Sequence, residues 1–213
     1  MTDGDDGLSA DDYWQGVLAR YEQDLGIPKG VIWSLRDEPD VWTFFIKAHA
    51  LIESALTTVL RAQDKRLADI LEALPLSHTK YGRIAAAQAL GVLDKEDAAF
   101  FQVVQRMRNL LVHDIRNVAF DFKKYFASLS AEHRRQITDV LTYGFRHHYT
   151  TPEVMEDNIS RHPGFTTWNG LVKFIITLTG RLPGQTWPKQ VTVEWEEVRF
   201  EDAAQGGESQ PTP

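Results

Sequence analysis

The sequence contains no cysteine, which excludes a disulfide framework, thiolate chemistry and a zinc–thiolate site. It also lacks an excess of positive charge. Its 23 lysines and arginines are outnumbered by 30 aspartates and glutamates, and the formal net charge is −7 at pH 7. A broad nucleic-acid-binding surface is normally basic, so this charge argues against one, although it leaves room for a small local RNA site. We predict no cofactor and no metal.

The signals that direct a chain to a membrane or out of the cell are missing as well. The N-terminal stretch MTDGDDGLSADD is acidic and has no apolar signal core. No apolar run approaches the length of a membrane span. We therefore expect a cytoplasmic protein that does not bind membranes. A length of 213 residues with 43% hydrophobic content suits one globular domain with appended pieces.

The most informative stretch is 94–114, DKEDAAFFQVVQRMRNLLVHD, which has the pattern of one amphipathic helix. Asp94 is a suitable N-cap, and acidic residues follow it in the first turn, where the helix dipole favours them. At 3.6 residues per turn, one apolar face contains Phe100, Val103, Val104, Met107, Leu110 and Leu111. The opposite face contains Gln102, Arg106, Asn109 and His113. Arg108 lies at the margin of the apolar face, beside Phe101 and Val112.

Helical spacing of apolar residues continues along most of the chain and predicts an all-α protein. Ser9 and Asp12 form a start resembling a capping box, and Gly26 ends that first helix. Further helices are predicted over 40–61, 66–74, from 77 or 79 to 91, 94–113, a stretch around 125–129, 131–148 and 166–180. Short turns between the four helices of 40–113 favour an antiparallel bundle.

Two regions are predicted to contain no helix. Residues 150–164 include Pro152, Pro163 and Gly164, which is typical of a loop. Residues 191–200, VTVEWEEVRF, alternate like a short strand, which would need a pairing partner such as a second chain. The predicted organisation is a mobile N-terminus (1–8), an N-terminal helix and connection (9–40), a helical domain (41–180), an irregular or strand-forming extension (181–200) and a disordered tail (201–213).

The end of the central helix, RNLLVHD, resembles the signature of the HEPN superfamily: an arginine, a polar residue directly after it, and a histidine a few residues on. The matching residues are Arg108, Asn109 and His113. The blocks FFIKAHALIESALTTVL (44–60) and TKYGRIAAAQALGVLDKED (79–97) are similar to the mannitol operon repressor family, a HEPN-like branch. The resemblance covers residues 42–122 and implies a HEPN-like helical bundle whose site forms at the two-fold cleft of a homodimer.

This resemblance implies a regulatory protein that works through protein contacts. The acidic charge and the lack of a helix-turn-helix signature argue against direct DNA binding. The alternative is a metal-independent RNase of the toxin or phage-defence type that cleaves RNA by attack of a 2′-hydroxyl. His113 would then be the acid–base group, Arg108 the phosphate clamp and Asn109 an orienting partner. A third hypothesis is a purely structural dimerisation module, in which substituting Arg108 or His113 lowers only stability.

Helix geometry complicates the RNase hypothesis. Residues five apart on an ideal helix point roughly 140° away from each other. Arg108 and His113 therefore converge only if the helix frays or a partner chain completes the site. Arg106 shares the face of Asn109 and His113 and is the other candidate for phosphate contact. Without catalysis, Asn109 and His113 would form a polar seam at a dimer interface.

Several other side chains are candidates for binding. Glu53 or Asp114 would be the carboxylate bonded to Arg108 in the non-catalytic interpretation. His49 and Glu53 lie four apart on the second long helix; a solvated or interface pair is favoured over a metal site because no third ligand has suitable spacing. Lys80 and Arg83 belong to a local basic cluster that would face solvent, RNA phosphate or an acidic partner.

Overall fold

The computed structural model describes residues 9–63, 70, 73–76, 82–113, 117, 119–144, 146, 149 and 151–184. Within these residues the chain forms helices and no strand, which confirms the all-α fold class. The helices are α1 (Ala10–Leu25), α2 (Val31–Ser34), α3 (Val41–Gln63), α4 (Arg83–Ala89), α5 (Lys95–Val112), α6 (Phe122–Ser128), α7 (Ala131–Leu141), α8 (Pro152–Arg161) and α9 (Pro163–Thr179).

The predicted helix signals operate at both ends of α1 and at the start of α5. The Asp12 amide donates to Ser9 Oγ at 3.1 Å, and Gly26 ends α1 with φ at 67°, a left-handed conformation that glycine adopts without strain. Asp94 and Asp97 form a reciprocal capping box at the start of α5. Both helices therefore have the bounds that the sequence predicts.

Helix α3 lies at the centre of the bundle, between α5 and α9, and ten of its 23 residues are buried. Trp42 Nε1 near the start of α3 donates to the Leu111 carbonyl at the end of α5 over 3.2 Å, so these two helices are antiparallel. At the other end of α3, Gln63 Nε2 donates to the Arg181 carbonyl just past α9 over 2.7 Å. Helix α9 therefore runs parallel to α3, an arrangement that a purely antiparallel bundle does not contain.

One prediction about hydrophobic runs needs correction. Helix α3 is long and apolar enough, by length and composition alone, to cross a membrane; no other helix in the described part of the chain is. Within the structure, more than half of its most apolar stretch is buried against the other helices. This apolar surface forms the centre of the protein core, as expected for the central helix of a bundle.

The predicted loop at 150–164 is wrong, because it contains helix α8 and the start of α9. Each helix begins with a proline, Pro152 or Pro163, whose fixed φ suits the first helical turn. Thr151 caps α8 by accepting from the Val154 amide at 3.4 Å. A proline interpreted as a helix breaker thus marks a helix start here.

Other predicted bounds also change. The helix predicted over 131–148 ends at Leu141, and the connection at 29–40 contains the short helix α2. Of the helix predicted over 66–74, the structure describes only residues 70, 73 and 74, where the Leu74 amide donates to the Ile70 carbonyl. Helix α4 begins at Arg83, and the predicted starts at 77 or 79 lie outside the described residues. The segments 1–8 and 185–213, with the predicted strand, lie outside them too.

The N-terminal segment is joined to the core through α9. The buried Glu22 carboxylate accepts hydrogen bonds from the amides of Gly30 and Ile32, which fixes α2 beside α1. The Ile32 carbonyl in turn accepts from Trp168 Nε1 on α9 at 2.7 Å. Because Trp168 is fully buried, this hydrogen bond attaches residues 9–40 to the interior of the bundle.

Candidate functional site

The apolar face of α5 is rotated slightly from the predicted one. Most residues assigned to it are buried, but Leu110 is 38% exposed, whereas Phe101 is fully buried. Phe101 lies between α3 and α9, with its ring centroid 5.6 Å from His49 and 6.4 Å from Phe174. Because two helices enclose this side of α5, the buried face is centred nearer Phe101, and Leu110 joins the exposed side.

The C-terminal end of α5 is held by side chains from outside the helix. The Leu110 carbonyl accepts from Asn117 Nδ2 at 2.7 Å, and the Leu111 carbonyl accepts from Trp42 Nε1. The His113 amide still donates to the Asn109 carbonyl at 3.2 Å. These bonds satisfy carbonyls that a helix end leaves without partners. Helix α5 is therefore regular up to its last turn, and fraying does not bring His113 toward Arg108.

Arg108 and His113 occupy different environments. Arg108 is partly buried, its Nη1 donates to Asn109 Oδ1 at 3.1 Å, and its charge acts on His49 of α3. His113 is exposed and caps the end of the helix. No contact joins the two side chains in the part of the chain that the structure describes. Within one chain, the arginine and the histidine of the HEPN-like motif are therefore not brought together.

A row of accessible side chains follows the opposite side of α5, and we call it the α5 stripe. Apart from Asn109 and Leu110, which are consecutive, successive members are three or four residues apart, so they are neighbours on the helix. All are exposed except Asn109, which is half-buried. Arg106 lies close to Tyr125 of α6: burial raises the pKa of the Tyr125 phenol, and the Arg106 charge opposes that rise. The α5 stripe consists of Gln102, Arg106, Asn109, Leu110 and His113.

A second group of polar side chains lies between α3 and α4. Glu53 of α3 forms an ion pair with Arg83 of α4, with Nη1 and Oε1 3.3 Å apart. Arg83 also donates to Thr57 Oγ1 at 3.0 Å and to the Leu74 carbonyl at 3.3 Å. Glu53 thus pairs with Arg83 and not with Arg108. Lys80 and Asp114 lie outside the described residues.

His49 is buried, whereas the sequence favoured a solvated or interface residue. Its side chain is stacked on Phe101, the residue is 8% exposed, and its Nε2 atom has no hydrogen-bond partner among the described residues. Burial lowers the pKa of His49, the Arg108 charge lowers it further, and the Glu53 carboxylate opposes both. In the sequence, His49 directly follows Ala48, which belongs to the buried stripe of α3, and this position was the indication that His49 is buried.

The lowered pKa of His49 makes stability depend on pH. The unfolded chain takes up this proton near the ordinary pKa of 6.5, and the folded chain takes it up only at lower pH. The contribution of His49 to stability is therefore complete above that pH and is lost as the pH falls through the pKa of the folded state. We expect His49→Phe to flatten the loss of unfolding free energy between about pH 7.5 and about pH 5 in urea titrations. The exposed His133→Gln is the matched control, and equal pH profiles for His49→Phe and wild type would contradict the assignment.

The sequence also missed a buried network at the start of α5. Tyr143 donates its hydroxyl proton to Asp97 Oδ1 at 3.3 Å, and burial raises the pKa of both groups. The Lys173 ammonium of α9 lies 4.3 Å from the centre of the Tyr143 ring. This network connects the capping box of α5 to α9. Tyr143 follows the last turn of α7. In the sequence it lies 46 positions from Asp97 and 30 positions from Lys173, and residues so far apart form no pattern that predicts the network.

No group of three or more metal-ligating side chains occurs among the residues that the structure describes. Comparison with protein-family models, with curated proteins and with solved structures finds no match for this chain. The class defined by fold and site is therefore an all-α helical bundle with an exposed polar stripe on α5 and a buried histidine behind it.

Proposed function

We propose that the protein is a cytoplasmic, homodimeric regulatory protein, similar to the mannitol operon repressor family, that acts through protein contacts made by the α5 stripe. The observation that supports this proposal best is the exposure of Leu110 between Arg106 and His113. An apolar side chain flanked by cationic or polar ones is typical of interface centres, where arginine and apolar residues are enriched. The HEPN-like motif ends on this same stripe.

A second copy of the chain is the partner that we assign to the stripe. No described residue of the same chain forms an ion pair with Arg106 or hydrogen-bonds the His113 side chain, so both are available to another chain. Val112, 37% exposed, adds apolar area at the end of the helix. The bonds from Trp42 and Asn117 to the last carbonyls of α5 hold this end rigid, which reduces the entropy lost on association.

Regulation through proteins fits the charge better than operator binding does. With a net charge of −7, the chain as a whole repels the phosphate backbone that supplies most of the affinity of DNA-binding proteins. The positive charge of the α5 stripe is confined to a small area. Arg83 of the predicted basic cluster is already paired with Glu53. We infer that any effect on transcription passes through a protein partner.

The dimer is tested by changing one residue of the stripe. We expect Leu110→Asp to weaken self-association about tenfold or more, a cost of about 1.4 kcal/mol, because it places a carboxylate at the two-fold contact. Sedimentation velocity over a range of micromolar concentrations measures the dissociation constant. Val154→Asp on α8 is the matched control, because Val154 is similarly exposed at 47% and lies off the stripe. A wild-type chain that stays monomeric, or a Leu110→Asp chain that dimerises normally, would overturn the proposal.

A metal-independent RNase is the second candidate, and one observation favours it. Arg106 and His113 are both exposed on one face of α5, two turns apart, so an RNA strand can reach a cation and an imidazole together. The imidazole suits proton transfer near neutral pH, and the guanidinium suits charge on phosphate oxygens. In this hypothesis Arg106, rather than the half-buried Arg108, contacts the scissile phosphate.

The RNase hypothesis is tested with purified protein and RNA in the presence of EDTA. This hypothesis predicts that structured or unstructured RNA is cleaved, and that His113→Ala lowers the rate about a hundredfold or more, as removal of an acid–base group does. Arg106→Ala should lower it more than Arg108→Ala. His133→Ala controls for loss of an exposed histidine outside the site. If wild type leaves RNA intact, the RNase hypothesis fails while the dimer proposal is unaffected.

A further inference from the structure

A buried imidazole lies between two opposite charges behind the α5 stripe. His49 of α3 is 8% exposed and stacked on Phe101 of α5, and no described group hydrogen-bonds its Nε2. Glu53 is four residues along α3, one turn away, and Arg108 approaches from α5. An unsatisfied polar atom in a core costs stability, so its presence calls for an explanation beyond packing.

We propose that His49 couples the proton concentration of the solution to the position of Arg108. When the imidazole takes up a proton, the Glu53 carboxylate turns toward it from Arg83, and Arg108 moves away, toward the exposed side of α5. This proposal deepens the proposed function, on which its consequence for the dimer rests, because Arg108 adjoins the α5 stripe and touches one of its members, Asn109.

The charged groups around His49 determine which side chains move when the imidazole takes up a proton. Glu53 is the only carboxylate and Arg108 the only cation that act on the imidazole among the described residues. Arg83 of α4 is engaged by Glu53 at 3.3 Å, and Lys173, the single charged residue of α9, is engaged by the Tyr143 ring. A buried imidazolium is therefore attracted by one group and repelled by one group, and both groups are partly exposed.

Arg83 has other bonding partners besides Glu53, so Glu53 can turn away without leaving the guanidinium unbonded. Its ion pair with Arg83 is one of three interactions of that guanidinium, since Thr57 Oγ1 and the Leu74 carbonyl hold it as well. Arg83 therefore stays bonded when Glu53 leaves. The Asn109 side chain offers Arg108 only one hydrogen bond, so little holds the guanidinium beside a newly charged imidazole.

The coupling is tested by NMR titration of His49 in the full chain. We expect Glu53→Gln to lower the midpoint of the His49 titration and Arg108→Gln to raise it, because the first variant removes an attraction for the proton and the second removes a repulsion. On acidification the Arg83 Nη1 protons, which pair with Glu53, should lose protection from exchange with water relative to the Arg134 guanidinium, whose ion pair with Glu156 serves as a control. Midpoints that do not move in opposite directions, or an Arg83 signal that does not respond, would overturn the proposal.

The link to the dimer is measured separately. Between about pH 7.5 and about pH 5.5, acid should weaken self-association of wild type about threefold more than that of His49→Phe, because Arg108 adds a cation to the stripe. His113 is present in both proteins, so the difference isolates His49. A wild type that never dimerises refutes the proposed function, while the NMR titration still decides the coupling. A dimer with equal pH dependence in both proteins refutes the coupling of His49 to the interface.

Discussion

Replacing Trp168 with alanine should cost the protein about 3–5 kcal/mol of unfolding free energy, the range observed for removing a large aromatic side chain from a packed core. The indole is fully buried, and its ring lies edge-on to Trp33, with centroids 5.9 Å apart. Its Nε1 also donates to the Ile32 carbonyl, so the variant leaves that buried acceptor without its bond. Since natural domains have only about 5–15 kcal/mol of stability, this single change should come close to unfolding the chain.

Urea unfolding followed by circular dichroism measures the loss, and Trp168→Phe separates its two causes. Phenylalanine keeps most of the apolar volume but donates no hydrogen bond, so we expect a cost of about 1–2 kcal/mol for the lost bond and the smaller ring. If the alanine and phenylalanine variants are equally stable, the packing described for the Trp168 ring is incorrect. If the phenylalanine variant is as stable as wild type, the hydrogen bond to Ile32 contributes little.

Gly170→Ala should destabilise the bundle by about 1–3 kcal/mol through overpacking, even though alanine normally favours helices. An added Cβ at this position of α9 would lie 2.6 Å from Cε2 of Phe100 and 3.0 Å from the Leu141 carbonyl oxygen. Phe100 is fully buried on α5 and the carbonyl belongs to the last turn of α7, so neither can withdraw without moving a helix. The glycine therefore allows three helices to approach one another closely.

Gly16→Ala is the control, and its effect should have the opposite sign. Gly16 lies inside α1 with no atom within 4 Å of a built Cβ, so alanine there adds no clash. The gain expected from the helix propensity of alanine is about 0.5–1 kcal/mol. Thermal unfolding of the two variants beside wild type should give melting temperatures on opposite sides of the wild-type value. Stabilisation by Gly170→Ala would show that α5, α7 and α9 are packed less closely there.

The sequence predicted the parts of the fold that local signals determine. Ser9, Gly26 and Asp94 mark helix ends through bonds to residues within four positions, and a short-range pattern is sufficient to find them. Pro152 and Pro163 were ambiguous, because proline both ends helices and begins them. The parallel packing of α9 on α3 depends on contacts such as that between Gln63 and Arg181. These residues lie 118 positions apart, and the helical periodicity of the sequence does not predict contacts between them.

The candidate site was predictable in part for the same reason. The α5 stripe follows from the spacing of Arg106, Asn109 and His113, apart from Leu110, whose exposure depends on where α3 and α9 contact the helix. The burial of His49 and its position near Arg108 join two helices, so no spacing within either helix indicates them. Pairing of Glu53 with Arg83 likewise requires α4 to be placed beside α3.

The position of α9 has a practical consequence for work on fragments. The region with the HEPN-like motifs, 42–122, includes α3, α4 and α5 but omits α9, a helix with 11 buried residues that covers one whole side of α3. Expressed alone, this piece would present the face of α3 that α9 normally covers directly to water, and aggregation is the expected result. Assays of the motif therefore require the chain to extend at least through residue 182, where Leu182 closes the end of the core.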